Sequence, residues 1–451
     1  MLKKVTWDKH PILGNLELDF LKPSGGIYNS IILAGENGSG KTTILDTLST
    51  FLNLGSIEPF KQIEYVIDNN SYTIIQSETK ELRALGFHNR IDTSGIKTQI
   101  TSNHENGRET IKNDPLDIRH YGCVYSKART GFSTRPIKTT TTEQLDDNKY
   151  ENDTNEDFTS IKQLIVDVSA QDDATFRRHF NSMIDKTQSE ISDTFKPISK
   201  MERFTSAFNA FFENMEFSKV DNESRDEKRV LFMKNGIEVL VDALSTGEKQ
   251  VVFRGAHLLK NSANLIGGVV LIDEPELSMH PKWQEKILQY YRNLFKKEDS
   301  QMAQIIFATH SDYILRAGLE DNDNVLIMVL SEESGMIRVK RVTAPTVLPS
   351  ITSAEVNYVA FGIASNDYHI ELYGHLQNKE NKKAVKACDD FIANHQLYNS
   401  GIHSKPSTYA QTQYTTLPTY IRNAIDHPDP SRTFTQSELE VSIKLLIELC
   451  R

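Results

Sequence analysis

Four short motifs follow one another along the chain, each built from residue types that handle phosphate or the water that attacks it. They are Gly35-Glu-Asn37-Gly38-Ser39-Gly40-Lys41-Thr42-Thr43, Leu244-Ser245-Thr-Gly247-Glu248-Lys-Gln250, Leu271-Ile-Asp273-Glu274-Pro275 and Phe307-Ala-Thr-His310. In the first, the glycines let successive backbone N–H groups turn inward around an anion, and the helix that follows offers its N-terminus to negative charge. Lys41 would reach the β- and γ-phosphates of ATP there, and Thr42 would ligate Mg²⁺. In the third, an apolar run ends in two acids. Asp273 would hold Mg²⁺ through water, and Glu274 would orient or deprotonate the attacking water. His310 closes another apolar run, that of Ile305 to Thr309.

The second motif has two readings, and both can hold at once. Ser245 can cap a helix with Glu248 three residues on. Ser245 and Gly247 can also present a hydroxyl and a backbone N–H to an anion at a helix N-terminus. The expected nucleotide-binding set is therefore Gly35, Asn37, Gly38, Ser39, Gly40, Lys41, Thr42, Thr43, Ser245, Gly247 and Glu248. Thr42 and Asp273 are the expected metal ligands, and Glu274 and His310 the expected catalytic pair.

These residues need strands and helices to hold them. Ile31-Ile-Leu-Ala34 reads as a buried strand feeding the glycine-rich turn, and Ile44, Leu45 and Leu48 as the apolar face of the helix after it. Residues 63–76 read as a hairpin turning at Asn69-Asn70, residues 229–242 as a hairpin at Asn235-Gly236, and residues 325–342 as one near Gly335. Between the first two motifs, residues 138–157 carry Thr139–Thr142 and then a polar stretch rich in Asp, Asn and Glu, which predicts a mobile loop. Residues 160–217 predict helices, with Phe176, Phe180, Met183 and Ile184 at three- and four-residue spacing. No heptads are sustained, so no long coiled-coil arm is expected. From residue 353 the pattern is helical, broken by a polar stretch at 400–416. Aromatic residues between Tyr358 and Tyr373 suit a core or a subunit contact better than a stacking surface.

At 451 residues, with 38% hydrophobic and 25% charged side chains, the chain is of ordinary globular composition and long enough for several domains. No apolar run approaches the ~20 residues that cross a bilayer, and the N-terminal residues lack the pattern of a signal peptide. The three cysteines, Cys123, Cys388 and Cys450, form neither a disulfide framework nor a zinc pattern, which suits a reducing cytoplasm. A net charge of −10 argues against holding nucleic acid by bulk electrostatics but leaves room for a local basic groove.

The second motif resembles the signature of the ABC ATPase superfamily, and the resemblance extends through Glu274-Pro-Glu-x3-His280-Pro281. It implies an α/β fold: an ABC-type P-loop ATPase core with an inserted helical lobe and a C-terminal helical domain. The expected divisions are 1–137 and 226–345 for the core, 138–157 for the loop, 158–225 for the lobe and 346–451 for the C-terminal domain. It also implies a head-to-tail dimer, in which Ser245 and Gly247 of one copy meet the γ-phosphate held by the other, and a His310 that senses that phosphate. The glutamine that usually follows the second core strand is missing around Tyr125-Ser-Lys127-Ala-Arg129. A compact insertion without coiled coils is similar to the soluble ATPases of OLD-family enzymes and of bacterial anti-phage systems such as Septu. That likeness implies a nuclease subunit as partner.

Residues 418–428 contain Arg422-Asn423-x3-His427-Pro428, similar to the active-site motif of HEPN ribonucleases. There Arg422 would hold a phosphate and His427 would act as acid or base. The alternative is that Arg422 and Asn423 make structural hydrogen bonds and His427-Pro428 ends a helix. Three functions follow: an ATPase that regulates a separate nuclease, a self-contained ATP-gated ribonuclease, and a DNA-repair ATPase.

Overall fold

The computed structural model describes residues 1–129, 131–147, 150, 158–183, 186–222, 226–297 and 300–451. Its contacts divide it into two units, Met1–Val339 and Lys340–Arg451.

The first unit is organised by a six-stranded sheet. Its strands are β1 (Ser30–Ala34), β2 (Cys123–Ser126), β3 (Val269–Asp273), β4 (Gln304–Thr309), β5 (Val325–Glu333) and β6 (Met336–Arg341), in the order β6-β5-β1-β4-β3-β2. β1 to β5 run parallel. β1, β3 and β4 are buried along their whole length, which is why they read as unbroken apolar runs rather than alternating ones. Because β1, β4 and β3 are neighbours and point the same way, the residues that follow them emerge together at one edge. In open parallel sheets that edge is where ligands bind.

Helix α1 (Lys41–Leu52) follows β1. Its Ile44, Leu45, Leu48 and Phe51 enter a core shared with a six-stranded antiparallel sheet that contains Leu2–Trp7 and Phe60–Ile67. Trp7 Nε1 donates to Thr47 Oγ1 at 3.1 Å, and the Arg119 guanidinium lies 4.9 Å from the Phe51 ring. Arg119 is itself fully buried against Asp117, 2.7 Å away, and His88, 2.8 Å away. Burial holds His88 at a pKa of about 3, so it stays neutral beside the guanidinium. The helix that follows the glycine-rich loop is thus fixed by polar as well as apolar contacts.

The hairpins at 229–240 and 325–341 form with Asn235-Gly236 and Ser334-Gly335 between their strands. The earlier hairpin turns one residue sooner than expected. Its strands are Phe60–Ile67 and Asn70–Gln76, and Asp68 and Asn69 take φ of 48° and 64°, the paired left-handed values of a tight hairpin turn.

The insertion is less uniformly helical than its spacing predicts. Helices span Phe158–Ser182, Gln188–Phe195 and Glu202–Phe211, but Met215–Asp221 is a strand paired with Arg229–Lys234. Phe180 is 49% exposed, so helical spacing there does not mark a buried face. Ile184 lies outside the described residues. The stretch expected as a mobile loop makes side-chain contacts in its described part. Residues 138–147 have little regular structure, yet Thr141 donates from N and Oγ1 to Asp167 at 2.7 and 2.5 Å, and Arg203 grips Asp146 at 3.0 and 2.8 Å. Residues 148–149 and 151–157 of that expected loop lie outside the described residues.

The second unit starts at Lys340 rather than residue 346. Helices Ser353–Phe361, Asn366–Lys379, Val385–Asn394, Leu417–Asp426 and Gln436–Cys450 make up most of it. Tyr368, Leu372 and Tyr373 belong to its core. The polar break at 400–416 contains a β-hairpin, Ser404–Tyr409 paired with Thr412–Thr416, so this unit is not purely helical. Ala410 and Gln411 turn it with φ of 45° and 66°. Buried Asp389 accepts backbone bonds from Thr415 and Thr416 at 3.0 Å each and ties the hairpin down.

Candidate functional site

The glycine-rich loop is shaped by clashes that only glycine avoids. At Gly35, φ is 153° and a Cβ would sit 2.3 Å from the Leu330 carbonyl oxygen. Gly38 and Gly40 both have φ of 85°. Gly40 is also the N-cap of α1 and offers no side chain to the first N–H groups of the helix, those of Lys41, Thr42 and Thr43. Lys41 is 7% exposed and folds over the loop, with Nζ donating to Gly35 O at 2.7 Å and Glu36 O at 2.9 Å. Burial pulls its pKa down, against the pull of Asp273, Glu274, Glu276 and Glu36. Ser39 is buried behind it, its hydroxyl 3.4 Å from Nζ, while Asn37 and Thr42 lie exposed. A cradle of N–H groups with one desolvated ammonium fits a polyphosphate.

Asp273 stands at the end of β3 facing this loop. Thr42 Oγ1 donates to its Oδ2 at 2.9 Å. Its Oδ1 is buried without a partner, and burial pushes its pKa up to about 6. A buried carboxyl with one free oxygen, next to a threonine hydroxyl, fits a hard divalent cation that would offset the cost of ionising it.

Glu274 takes φ 45°, a left-handed conformation that is uncommon for a non-glycine residue. It is held there from both sides. Its N–H donates to Ala308 O on β4 at 2.9 Å, and Arg254 Nη1 donates to its carbonyl at 3.0 Å. His310 Nδ1 lies 3.7 Å from Glu274 Oε1, and His310 Nε2 lies 4.0 Å from Glu276 Oε1. Glu276 also accepts from Thr309 Oγ1 at 2.7 Å and from the His310 N–H at 3.0 Å, so it fixes the backbone of the histidine. Lys41, Thr42, Asp273, Glu274 and His310 thus gather at the carboxyl edge of β1, β3 and β4.

Arg254 and Glu276 are not in the expected site set. Arg254 is 1% exposed, and besides Glu274 O it donates to Asp273 O at 2.6 Å, Ser126 O at 3.0 Å and Ser126 Oγ at 2.8 Å. One guanidinium therefore stitches the end of β2 to the acids after β3. Its only trace in sequence is a charge inside the apolar run Val251-Val-Phe-Arg254-Gly-Ala. Exchanging Arg254 for methionine leaves several buried acceptors unpaired and costs about 3 kcal/mol of stability. It also releases the strained Glu274, so ATP turnover falls by about tenfold or more. Urea unfolding and steady-state turnover check this, and an unchanged urea midpoint contradicts it.

The signature motif folds on itself. Ser245 caps Thr246–Lys249 in a capping box, with its N–H and Oγ both donating to Glu248 Oε2 at 2.8 and 2.9 Å. Glu248 also pairs with Lys234 at 2.6 Å. The helix then widens into a π-turn over Gln250–Arg254, and Gln250 Nε2 donates to Arg129 O at 2.8 Å. Gln250 thus reaches the segment after β2 where the usual glutamine is missing. Among the described residues, no hydrogen bond or ion pair joins Ser245, Gly247 or Glu248 to Gly35–Thr43. The glycine-rich loop and the Ser245 motif are thus separate clusters without such a link between them.

The C-terminal pair is not brought together. Arg422 Nη2 pairs with Asp426 at 2.7 Å and Nη1 donates to Asn423 Oδ1 at 3.0 Å. His427 is the C-cap of its helix, with φ −133°, and its ring stacks on Tyr409 at 4.7 Å. Among the described residues, no hydrogen bond or ion pair joins Arg422 to His427. The helix stops at Asp426, as the alternative reading of His427-Pro428 expects.

Residues 30–316 match the family described as "AAA domain, putative AbiEii toxin, Type IV TA system". The chain belongs to that family. Two relatives of this AAA-type ATPase are the Septu protein PtuA of Bacillus thuringiensis and the retron Vc95 probable ATPase of Vibrio cholerae serotype O1 biovar El Tor. The first is 25% identical over 299 residues, covering 63% of this chain and 67% of that protein. The second is 24% identical over 365 residues, covering 65% and 68%. Among solved structures, the SMC head bound to the C-winged helix domain of ScpA aligns with 76% of this chain and 98% of that one, at 15% identity and a TM-score of 0.41. Among the described residues, no helix of this AAA-type ATPase is long and apolar enough to cross a membrane.

Proposed function

We propose that this ATPase binds ATP and Mg²⁺ between two head-to-tail copies, and that the ATP-bound state controls a nuclease made as a separate subunit, in bacterial anti-phage defence. The observation that carries this reading is the pair of phosphate-handling sets on one chain, the cluster around Lys41 and the self-capped signature at Ser245, with no hydrogen bond or ion pair between them among the described residues. Each set would be completed by the other set of a second copy. Gly35, Asn37, Gly38, Ser39, Gly40, Lys41 and Thr43 hold the phosphates in this reading, and Thr42 and Asp273 hold the metal. Magnesium, when bound, neutralises charge on the phosphate oxygens. Glu274 takes the proton of the attacking water, and His310 donates to the terminal phosphate. Ser245, Gly247 and Glu248 of the second copy close the site.

The relation to Septu and retron ATPases supports the role in defence, and the net charge of −10 counts against a DNA-repair ATPase that holds its substrate by charge. The ribonuclease alternative draws no support from the side chains of Arg422 and His427, which are engaged by Asp426 and Tyr409.

The test is a nuclease assay with the chain alone and with the nuclease encoded beside it. The chain alone, with ATP and Mg²⁺, leaves tRNA and duplex DNA intact, and His427→Ala changes nothing. The pair shows nuclease activity that depends on the nucleotide. RNA cleavage by the chain alone that His427→Ala abolishes would move the effector onto this chain.

A further inference from the structure

A bridge of side chains runs from the loop of His310 to the signature helix. It uses helices α2 (Pro281–Leu294) and α3 (Asp312–Glu320). Ser311, the N-cap of α3 and the residue after the histidine, is 6% exposed, and its hydroxyl donates to Gln284 Oε1 at 2.6 Å. The Gln284 amide then donates from Nε2 to Met279 O at 3.0 Å. The second partner is a carbonyl, which can only accept, so the amide has one orientation that satisfies both bonds.

One residue before Met279, Ser278 has φ 61°. Its carbonyl oxygen lies only 2.8 Å from the point a Cβ on Gly247 would occupy, and Trp283 Cζ3 lies 3.4 Å from that point. Trp283 is packed in turn against Phe211 and Phe212, ring centroids 5.7 and 5.6 Å away. At the near end, Glu276 is bonded to Thr309 and to the His310 N–H. The segment 276–279 is therefore tied to the histidine loop at two points and lies against the signature glycine.

We propose that Gln284 is a positioning residue that transmits the state of His310 to the signature motif of the same chain. Any displacement of the histidine loop carries Ser311 with it. The paired bonds of Gln284 pass that displacement to the Met279 carbonyl, and the adjoining Ser278 carbonyl lies too near Gly247 to admit even a Cβ between them. The inference rests on the head-to-tail reading, in which His310 serves one nucleotide and Gly247 serves the other. Gln284 then makes the two sites cooperative.

The experiment is ATP turnover against ATP concentration for wild type, Gln284→Ala, Gln284→Glu and the double variant Gln284→Ala/Ser311→Ala. Glu at 284 still accepts from Ser311 but cannot donate to Met279. Wild type shows a Hill coefficient above 1, and both single variants fall to about 1 while the maximal rate stays within about threefold. The double variant loses no more cooperativity than Gln284→Ala, because both bonds belong to one bridge. A residue with only a structural role would lower the unfolding temperature and leave the Hill coefficient above 1. Light scattering of Glu274→Gln with ATP runs alongside. A monomer there overturns the head-to-tail reading. A dimer there, with wild type and Gln284 variants sharing one Hill coefficient, overturns the bridge.

Discussion

Glu274→Gln turns over ATP about 10²- to 10⁴-fold more slowly than wild type, the range lost when a positioned general base is removed, and it accumulates as an ATP-bound dimer. The substitution is nearly isosteric and keeps the backbone restraints on residue 274, the bonds from Arg254 Nη1 and to Ala308 O. What it removes is the carboxylate 3.7 Å from His310. Binding groups around Lys41 and Asp273 are untouched, so affinity for ATP stays near wild type and the loss falls on the chemical step. Turnover comes from phosphate release, and the assembly from size-exclusion light scattering with and without ATP. A variant that hydrolyses ATP at the wild-type rate removes Glu274 from the chemistry.

Lys41→Ala weakens ATP binding by about 30- to 150-fold, which corresponds to the roughly 2–3 kcal/mol of a charged hydrogen bond lost. The ammonium sits over the loop, bonded to Gly35 O and Glu36 O, and burial pulls its pKa down. A bound phosphate would add to the pull of Asp273, Glu274, Glu276 and Glu36 on this desolvated charge. Stability without nucleotide changes little, because a desolvated charge leaves together with the bonds that held it. Titration of a fluorescent ATP analogue measures the affinity, and thermal unfolding of the apoprotein serves as the control. Unchanged affinity with an intact fold would exclude the loop as the phosphate site.

The parts of this site that were legible in the sequence are those whose geometry is local. Gly35, Gly38 and Gly40 lie between an apolar run and a helical pattern, so the strand, turn and helix can be read from neighbouring residues alone. The acids after β3 and the histidine after β4 are legible for the same reason, since each ends a buried strand. Arg254 was not legible, because its meaning lies in four acceptors that come together only when β2 and β3 pair. Nor was the place of Gln284, which depends on how α2 packs beside α3.

The misreadings also have particular causes. The hairpin over residues 404–416 alternates between exposed and half-buried positions along Ser404–Tyr409, but its side chains are almost all polar, so hydrophobic periodicity cannot reveal it. Asp68 and Asn69 each tolerate a left-handed φ, so the composition of the turn does not set its register to one residue. At Arg422 and His427 the open alternative of a helix ended by His427-Pro428 is the one that forms, because Pro428 disfavours helical backbone at His427.

In the head-to-tail assembly a complete site needs the Lys41 set of one copy and the Ser245 set of another. Mixing two inactive variants decides whether it does. Lys41→Ala disables the first set and Ser245→Arg the second, and each is assayed for ATP turnover alone and then mixed with the other. Head-to-tail pairing rebuilds one intact site in each mixed dimer, so the mixture hydrolyses ATP while neither variant does. A mixture as inactive as its components, or a Ser245→Arg variant that turns over ATP normally, would contradict the claim.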